Sequence, residues 1–277
     1  MGLKQEIQQR LNSLGAAPKK ALGQNFLIDE SVVSHIIEMV GRYQPKALVE
    51  VGPGLGTLTS HLIGSDLPLT LIELDREFAQ LWRDKSQTVV EADALQLDWK
   101  GLGLPHKSLL VSNLPYQISS SLLVERSLGP TQVGAMVLMF QKEVAQRVVA
   151  LPRSKKYGLL SVVAQLYWTV HKVCEAGPAC FWPTPKVASR VLAFERREDA
   201  PQAYGRELLR FIKAAFSHRR KVLWKNLAGE YSRFGADRVL AQKRGLDLGL
   251  GSQVRAEELE PKQFVKLFEA FGNGTSR

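Results

Sequence analysis

Cysteine is almost absent: two of 277 residues, Cys174 and Cys180. That is too few for a disulfide framework and suits a reducing compartment. No apolar run approaches the roughly 18 residues that a membrane-spanning helix needs. The start, MGLKQEIQQRLNS, lacks the apolar stretch of a signal peptide. Internal repeats and low-complexity segments are missing too. A disulfide scaffold, a helical membrane protein and a repeat array are thereby excluded, and a soluble, cytoplasmic protein is expected.

What the chain does hold is material for a core, 45% apolar residues, and an excess of positive charge. Its length and apolar share exclude disorder for the bulk of it. Lys and Arg number 37 against 27 Asp and Glu, a net of +10. The excess favours a polyanionic partner or an acidic membrane surface without choosing between them. It is unevenly placed. Residues 1–199 carry 22 basic and 19 acidic side chains, and residues 200–277 carry 15 and 8. The densest run is His218-Arg219-Arg220-Lys221, with Lys213 and Lys225 near it. Inside a helix such a run presents either a ridge able to neutralise several phosphates or an ordinary solvated face.

Residues 1–28 read as a basic arm with a short helix, ending in the loop KKALGQNFLID. Asp29 is placed to cap a helix reaching about Val40, on the stripe Val32, Val33, Ile36, Ile37 and Val40. Strand patterns at 47–51, 69–73, 88–90, 109–112 and 136–140 alternate with helical runs near 57–63, 76–83 and 119–128. Near-continuous apolar strands with helical crossovers indicate a parallel sheet covered on both faces. After a helix at 142–150, extended runs near 165–174 and 189–195 have no clear helix between them and predict an antiparallel hairpin at one edge. Beyond residue 200 the pattern is helical only. The expected organisation is the arm at 1–28, an α/β domain at 29–199 and a small all-α domain at 200–277.

The strongest local feature is Glu50-Val-Gly52-Pro-Gly54-Leu-Gly56. It follows a strand and opens a helix, and the acids Glu73 and Asp75 close the next strand about 20 residues on. Glycines let backbone pass close to a nucleoside, and an acid at that strand end can accept both ribose hydroxyls. Dinucleotide sites usually read G-x-G-x-x-G, whereas this is G-x-G-x-G preceded by an acid. Asp93 adds a polar group where an adenine edge would lie. Three acids, Glu50, Glu73 and Asp93, suit a cofactor with a cationic centre better than a pyrophosphate, and point to S-adenosylmethionine (SAM). The competing readings are a nicotinamide or flavin site and a tight β–α turn without a ligand.

Asn113-Leu-Pro-Tyr116 follows the fourth strand. A nucleobase amine is a poor nucleophile because its lone pair is delocalised into the ring. The Asn113 oxygen and the Leu114 carbonyl, turned outward before Pro115, can accept its protons and draw them from the ring plane. Tyr116 can stack on the base and hold it in line. The plainer reading is a strand-ending turn with a core tyrosine. In the later loop Phe181-Trp-Pro-Thr-Pro-Lys186, Phe181 is placed either to clamp the far face of the base or to lid the core, and Lys186 to meet a phosphate. His171, Cys174 and Cys180 match no standard zinc spacing, so no metal is expected.

The pieces LGQNFLID (22–29), EVGPGLGTLT (50–59), NLPYQISSSLL (113–123), FQKEVAQRVVA (140–150), FWPTPKVASRV (181–191) and AFSHRRKVLWKNL (215–227) together resemble the small-subunit ribosomal RNA adenine N6,N6-dimethyltransferases of the KsgA type. The resemblance implies a class I SAM-dependent methyltransferase fold, Rossmann-like, with a mostly parallel seven-stranded sheet, an antiparallel edge and a small all-α C-terminal domain. It implies cofactor contacts at Asn25, Leu27, Gly52, Glu73, Asp93 and Asn113. Catalytic roles fall to Asn113, Leu114, Tyr116 and Phe181, and RNA contacts to Lys186, Arg219, Arg220 and Lys221. The implied activity is dimethylation of two adjacent adenosines near the 3′ end of 16S rRNA in a pre-30S particle, by a monomer. Ser121, Leu159 and Lys225 depart from residues frequent in the family. A sister enzyme acting on large-subunit rRNA and a non-catalytic nucleic-acid-binding factor are the rival readings.

Overall fold

Asp29 begins the ordered alternation as its sequence context requires: its carboxylate accepts the Val32 N–H at 3.0 Å and caps the helix that follows. The computed structural model describes residues 2–19, 23–234 and 237–272. Residues 20–22 of the arm's loop, which include Leu22 of LGQNFLID, and the last five residues of the chain lie outside the described residues. In chain order the elements are α1 (Leu3–Ser13), β1 (Phe26–Leu27), α2 (Glu30–Arg42), β2 (Leu48–Val51), α3 (Thr59–Leu62), β3 (Leu69–Glu73), α4 (Arg76–Arg83), β4 (Thr88–Glu91), β5 (Ser108–Ser112) and α5 (Tyr116–Leu128). There follow β6 (Val133–Gln141), α6 (Lys142–Val148), α7 (Leu159–Tyr167), β7 (Trp168–Ala176), β8 (Phe181–Trp182), β9 (Ser189–Arg196), α8 (Gly205–Ala215), α9 (Leu223–Asn226), α10 (Arg238–Asp247) and α11 (Pro261–Gly272).

Seven strands form one sheet in the order β4-β3-β2-β5-β6-β9-β7. β2 to β6 run parallel, and β9 is antiparallel to β6. β2 and β5 are buried along their whole length, as strands covered on both faces must be. The chain lays β3 and β4 on one side of β2, then returns to place β5 on the other. At such a reversal the loops leaving neighbouring strands part, and a crevice opens outside their carboxyl ends.

The chain divides into two compact units, Met1–Ala145 with Thr169–Arg196, and Gln146–Trp168 with Arg197–Arg277. In the first unit α1 is docked: Ile7 and Leu11 join Phe26, Leu55 and Phe78 in one apolar cluster. The second unit takes in residues 146–168 as well as the helices after 197. Residues 165–167, expected to be extended, form the last turn of α7. Its sequence LeuLeuSerValValAlaGlnLeuTyr is apolar nearly all round, so periodicity does not separate a buried helix from a buried strand. The Ser161 hydroxyl fixes the helix start, accepting the Gly158 N–H at 3.1 Å and donating to the Arg147 carbonyl. Aromatic rings fill this unit's core, with Phe211 5.4 Å from Phe271 and Phe216 5.6 Å from Phe264.

The basic run lies in the turn between α8 and α9 and not within a helix. Asn226 explains why the helix stops: its amide donates to the Ala215 carbonyl at 2.7 Å and the His218 carbonyl at 3.0 Å, satisfying backbone that a continued helix would have bonded.

Candidate active site

The loops leaving β2, β3, β4 and β5 line one cleft of about 1150 Å³, counting the solvent at its mouth. Asn25, Leu27, Gly52, Glu73, Asp93 and Asn113 all line it, and so do Leu114 and Tyr116. The glycine turn is held from both sides. The Gly54 N–H donates to Glu73 Oε2 at 3.1 Å, and the Trp82 indole N–H donates to the Gly54 carbonyl at 2.9 Å. Gly56 has a φ of +91°, and a Cβ there would fall on the Trp82 ring, so only glycine allows the turn to lie against α4. The Arg10 guanidinium of α1 donates to the Leu55 carbonyl.

The acids in this cleft are positioned by backbone. Glu73 accepts the Asp75 N–H at 2.8 Å on one oxygen and the Gly54 N–H on the other. Burial raises its pKa, and these two bonds oppose the rise. Asp93 accepts the Leu95 N–H at 2.9 Å and the Gln96 amide at 3.1 Å. Glu50 is different. Its Oε2 is buried with no hydrogen-bond partner among the described residues. Burial pushes its pKa up to about 8, the Thr59 hydroxyl beside it opposes the rise, and the Glu73 charge adds to it. A buried carboxyl with one oxygen left without a partner is costly unless a ligand completes it. With Glu73, Asp93 and a turn bare of Cβ atoms, it fits a nucleoside that carries a positive charge.

Across the cleft, the Asn113 amide donates to the Asn25 carbonyl at 3.2 Å, which leaves Oδ1 as the acceptor available to a ligand. Pro115, at φ −53° and ψ 127°, keeps the backbone out of the helix until Tyr116 opens α5. Tyr116 is half-buried, and its hydroxyl lies 2.8 Å from Ser189 Oγ. Burial raises the phenol pKa, so the group is neutral at physiological pH.

Phe181 is buried beside this constellation and not in its lining. It is 1% exposed, belongs to the same core cluster as Leu27 and Ala176, and does not line the cleft. β8 pairs with β1 in the register Leu27↔Phe181. Lys186 is exposed in the loop before β9, away from the cleft lining. In the second unit Arg220 and Lys221 are exposed. Arg219 is engaged instead: it donates to the Ser154 carbonyl at 2.9 Å and the Lys155 carbonyl at 2.5 Å, and pairs with Glu257 at 2.6 Å. Sequence reasoning missed Trp82 and Asn226, which hold the glycine turn and the basic turn. Both act through contacts with distant backbone, for which local sequence carries no signal. Cys180 donates from Sγ to Asp29 Oδ2 at 3.3 Å, and among the described residues no cluster of metal-ligating side chains occurs.

A seven-stranded, mostly parallel sheet with a glycine turn and acids at its strand ends defines a Rossmann-like fold, which methyltransferases of known structure share. A dimethyladenosine transferase from Plasmodium falciparum shares this fold with a TM-score of 0.76 at 23% identity, over 90% of this chain and 98% of that one. The 23S rRNA methyltransferase ErmE does so with a TM-score of 0.63 at 24% identity, over 89% and 99%. In sequence, the ribosomal RNA small subunit methyltransferase A of Bdellovibrio bacteriovorus is 50% identical over 97% of this chain and 98% of that protein. The protein so named in Desulfitobacterium hafniense is 38% identical over 95% of each. The family model for ribosomal RNA adenine dimethylases matches residues 15–272, and the chain belongs to that family.

Proposed function

We propose that the protein transfers methyl groups from SAM to N6 of adenosine in small-subunit rRNA, two to each of two adjacent adenosines. The observation that carries this reading is the Asn113 amide, whose N–H is taken by the Asn25 carbonyl and whose oxygen is left as an acceptor in the cleft that Pro115 and Tyr116 also line. When bound, SAM supplies a methyl group made electrophilic by its sulfonium. Glu73 would hold the ribose hydroxyls, Asp93 the adenine edge, and Glu50 would complete the charge balance around the cationic ligand. Asn113 Oδ1 and the Leu114 carbonyl accept the protons of the substrate amine and draw its lone pair out of the ring. Tyr116 carries the base on its face, and charge developing on the amine is stabilised by these oxygens. The ammonium product loses its proton to water without a strong base.

Small-subunit rRNA as substrate is supported by the relatives that match nearly the whole chain, all ribosomal RNA small subunit methyltransferases A by name. The excess of basic residues after residue 200, with Arg220 and Lys221 exposed, suits the phosphates of a pre-30S particle. Action as a cytoplasmic monomer fits this reading, and no described helix is long and apolar enough to cross a membrane. The test is methyl transfer from labelled SAM to undermethylated small subunits. Wild-type protein is expected to label the small-subunit rRNA and Asn113→Ala to lose that labelling. Full activity in Asn113→Ala contradicts the assigned mechanism.

A further inference from the structure

Stacking on a base needs the ring of Tyr116 but not its hydroxyl. That hydroxyl nonetheless meets Ser189 Oγ at 2.8 Å. Both partners are fixed independently of one another. Ser189 is fully buried at the start of β9, opposite Gln141 in the antiparallel pair with β6. The residue before it is fixed too, the Ala188 carbonyl accepting the Lys142 N–H at 2.8 Å. Tyr116 follows Pro115 directly at the start of α5, and its carbonyl accepts the Ser119 hydroxyl at 3.0 Å. The phenol ring is thus anchored at its backbone end by a stiff turn and at its far end by the sheet. A ring held at both ends keeps its long axis in place, and that axis sets where the base would lie.

We propose that Ser189 is a positioning residue for methyl transfer: its hydroxyl pins the Tyr116 ring, and the pin matters more for the second methylation of an amine than for the first. The inference rests on the function proposed above. In each transfer the N6 lone pair forms the new N–C bond, the C–S bond breaks with its electron pair going to sulfur, and one amine proton passes to water. The first acceptor is an NH2 group with two N–H bonds, one for Asn113 Oδ1 and one for the Leu114 carbonyl. The second acceptor keeps a single N–H, because a methyl group has replaced the other. It therefore has one hydrogen bond fewer to orient it, and the stack on Tyr116 carries more of the alignment. Small errors of alignment are costly to in-line transfer.

The experiment measures methyl transfer to undermethylated small subunits by Ser189→Ala, Tyr116→Phe and the double variant, with the products resolved into mono- and dimethyladenosine. Each single change is expected to lower kcat about fivefold to tenfold, the size of one lost hydrogen bond. KM for SAM stays within about twofold, the share of monomethyladenosine rises, and the double variant is no worse than the poorer single. A structural role alone does not change the product ratio. A second readout needs no substrate: the Cζ chemical shift of Tyr116, followed by NMR in 13C-tyrosine-labelled protein, moves in Ser189→Ala as the hydrogen bond is lost. An unchanged kcat and product ratio in either single variant overturns the proposal, and so do losses that multiply in the double. If Ser189→Ala does not fold, Tyr116→Phe breaks the same bond from the other side and decides alone. If wild-type protein transfers no methyl, the functional reading fails, and the Tyr116 Cζ shift then decides the pin: no change in Ser189→Ala overturns it.

Discussion

Glu73 in the first unit and Arg220 in the second are both charged residues assigned to ligand binding. Glu73 is 7% exposed and has each carboxylate oxygen on a backbone N–H. Arg220 stands exposed, and among the described residues neither it nor Lys221 makes a side-chain ion pair. The contrast fits the ligands proposed for the two. A small cationic nucleoside is recognised by charges preorganised in a dry cleft, where each is worth most. An RNA backbone presents a row of solvated phosphates, and exposed long side chains that displace counterions suffice for it. Arg219 shows that a basic run is not uniform: it belongs to the turn's own architecture, tying Ser154, Lys155 and Glu257 together.

That contrast can be broken at several points. The largest effect is expected for Asn113→Ala, which removes the fixed acceptor and should slow methyl transfer about 10²- to 10³-fold in single-turnover assays. Gly56→Ala comes next. It sets a Cβ against the Trp82 ring at a positive φ and should destabilise the first unit by about 2 kcal/mol in denaturant unfolding. Arg219→Ala should cost the second unit about 1 kcal/mol, read the same way. Arg220→Ala with Lys221→Ala should leave stability within about 0.5 kcal/mol yet lower the salt slope of subunit binding by about 2. If Arg219→Ala behaved like the Arg220 and Lys221 pair, its assignment to architecture would be wrong.

Glu50 adds a pH dependence of defined sign. Its pKa is raised from an ordinary 4.5 to about 8, so the folded chain holds a proton that the unfolded chain releases. Without cofactor, stability is therefore fullest below about pH 4.5 and falls as pH rises toward 8. Glu50→Gln should flatten this part of the profile in thermal unfolding. SAM affinity should rise over the upper part of the same range in the wild type as the carboxyl ionises.

Much of this was legible locally. β3 and α4 fall on the residues where the apolar runs at 69–73 and 76–83 place them, because Asp75 caps α4 and both patterns are unambiguous. The cleft residues were legible because glycine, acid and NLPY spacings place chemistry at consecutive strand ends. α7 was not, since a short, wholly apolar run suits a buried strand equally well. Phe181 carried two open positions, and local sequence had no signal for the β1–β8 pairing that buries it. The bonds from Asn113 to Asn25 and from Tyr116 to Ser189 span 88 and 73 residues. Such contacts exist only once the sheet has brought the loops together.

The most direct measurement is mass-spectrometric mapping of methylated adenosines in rRNA from cells with and without the gene. Dimethyladenosine at two adjacent positions near the 3′ end of small-subunit rRNA, lost without the gene, is the expected result. An unchanged small-subunit pattern, or loss of a methyladenosine in large-subunit rRNA instead, would contradict the proposed function.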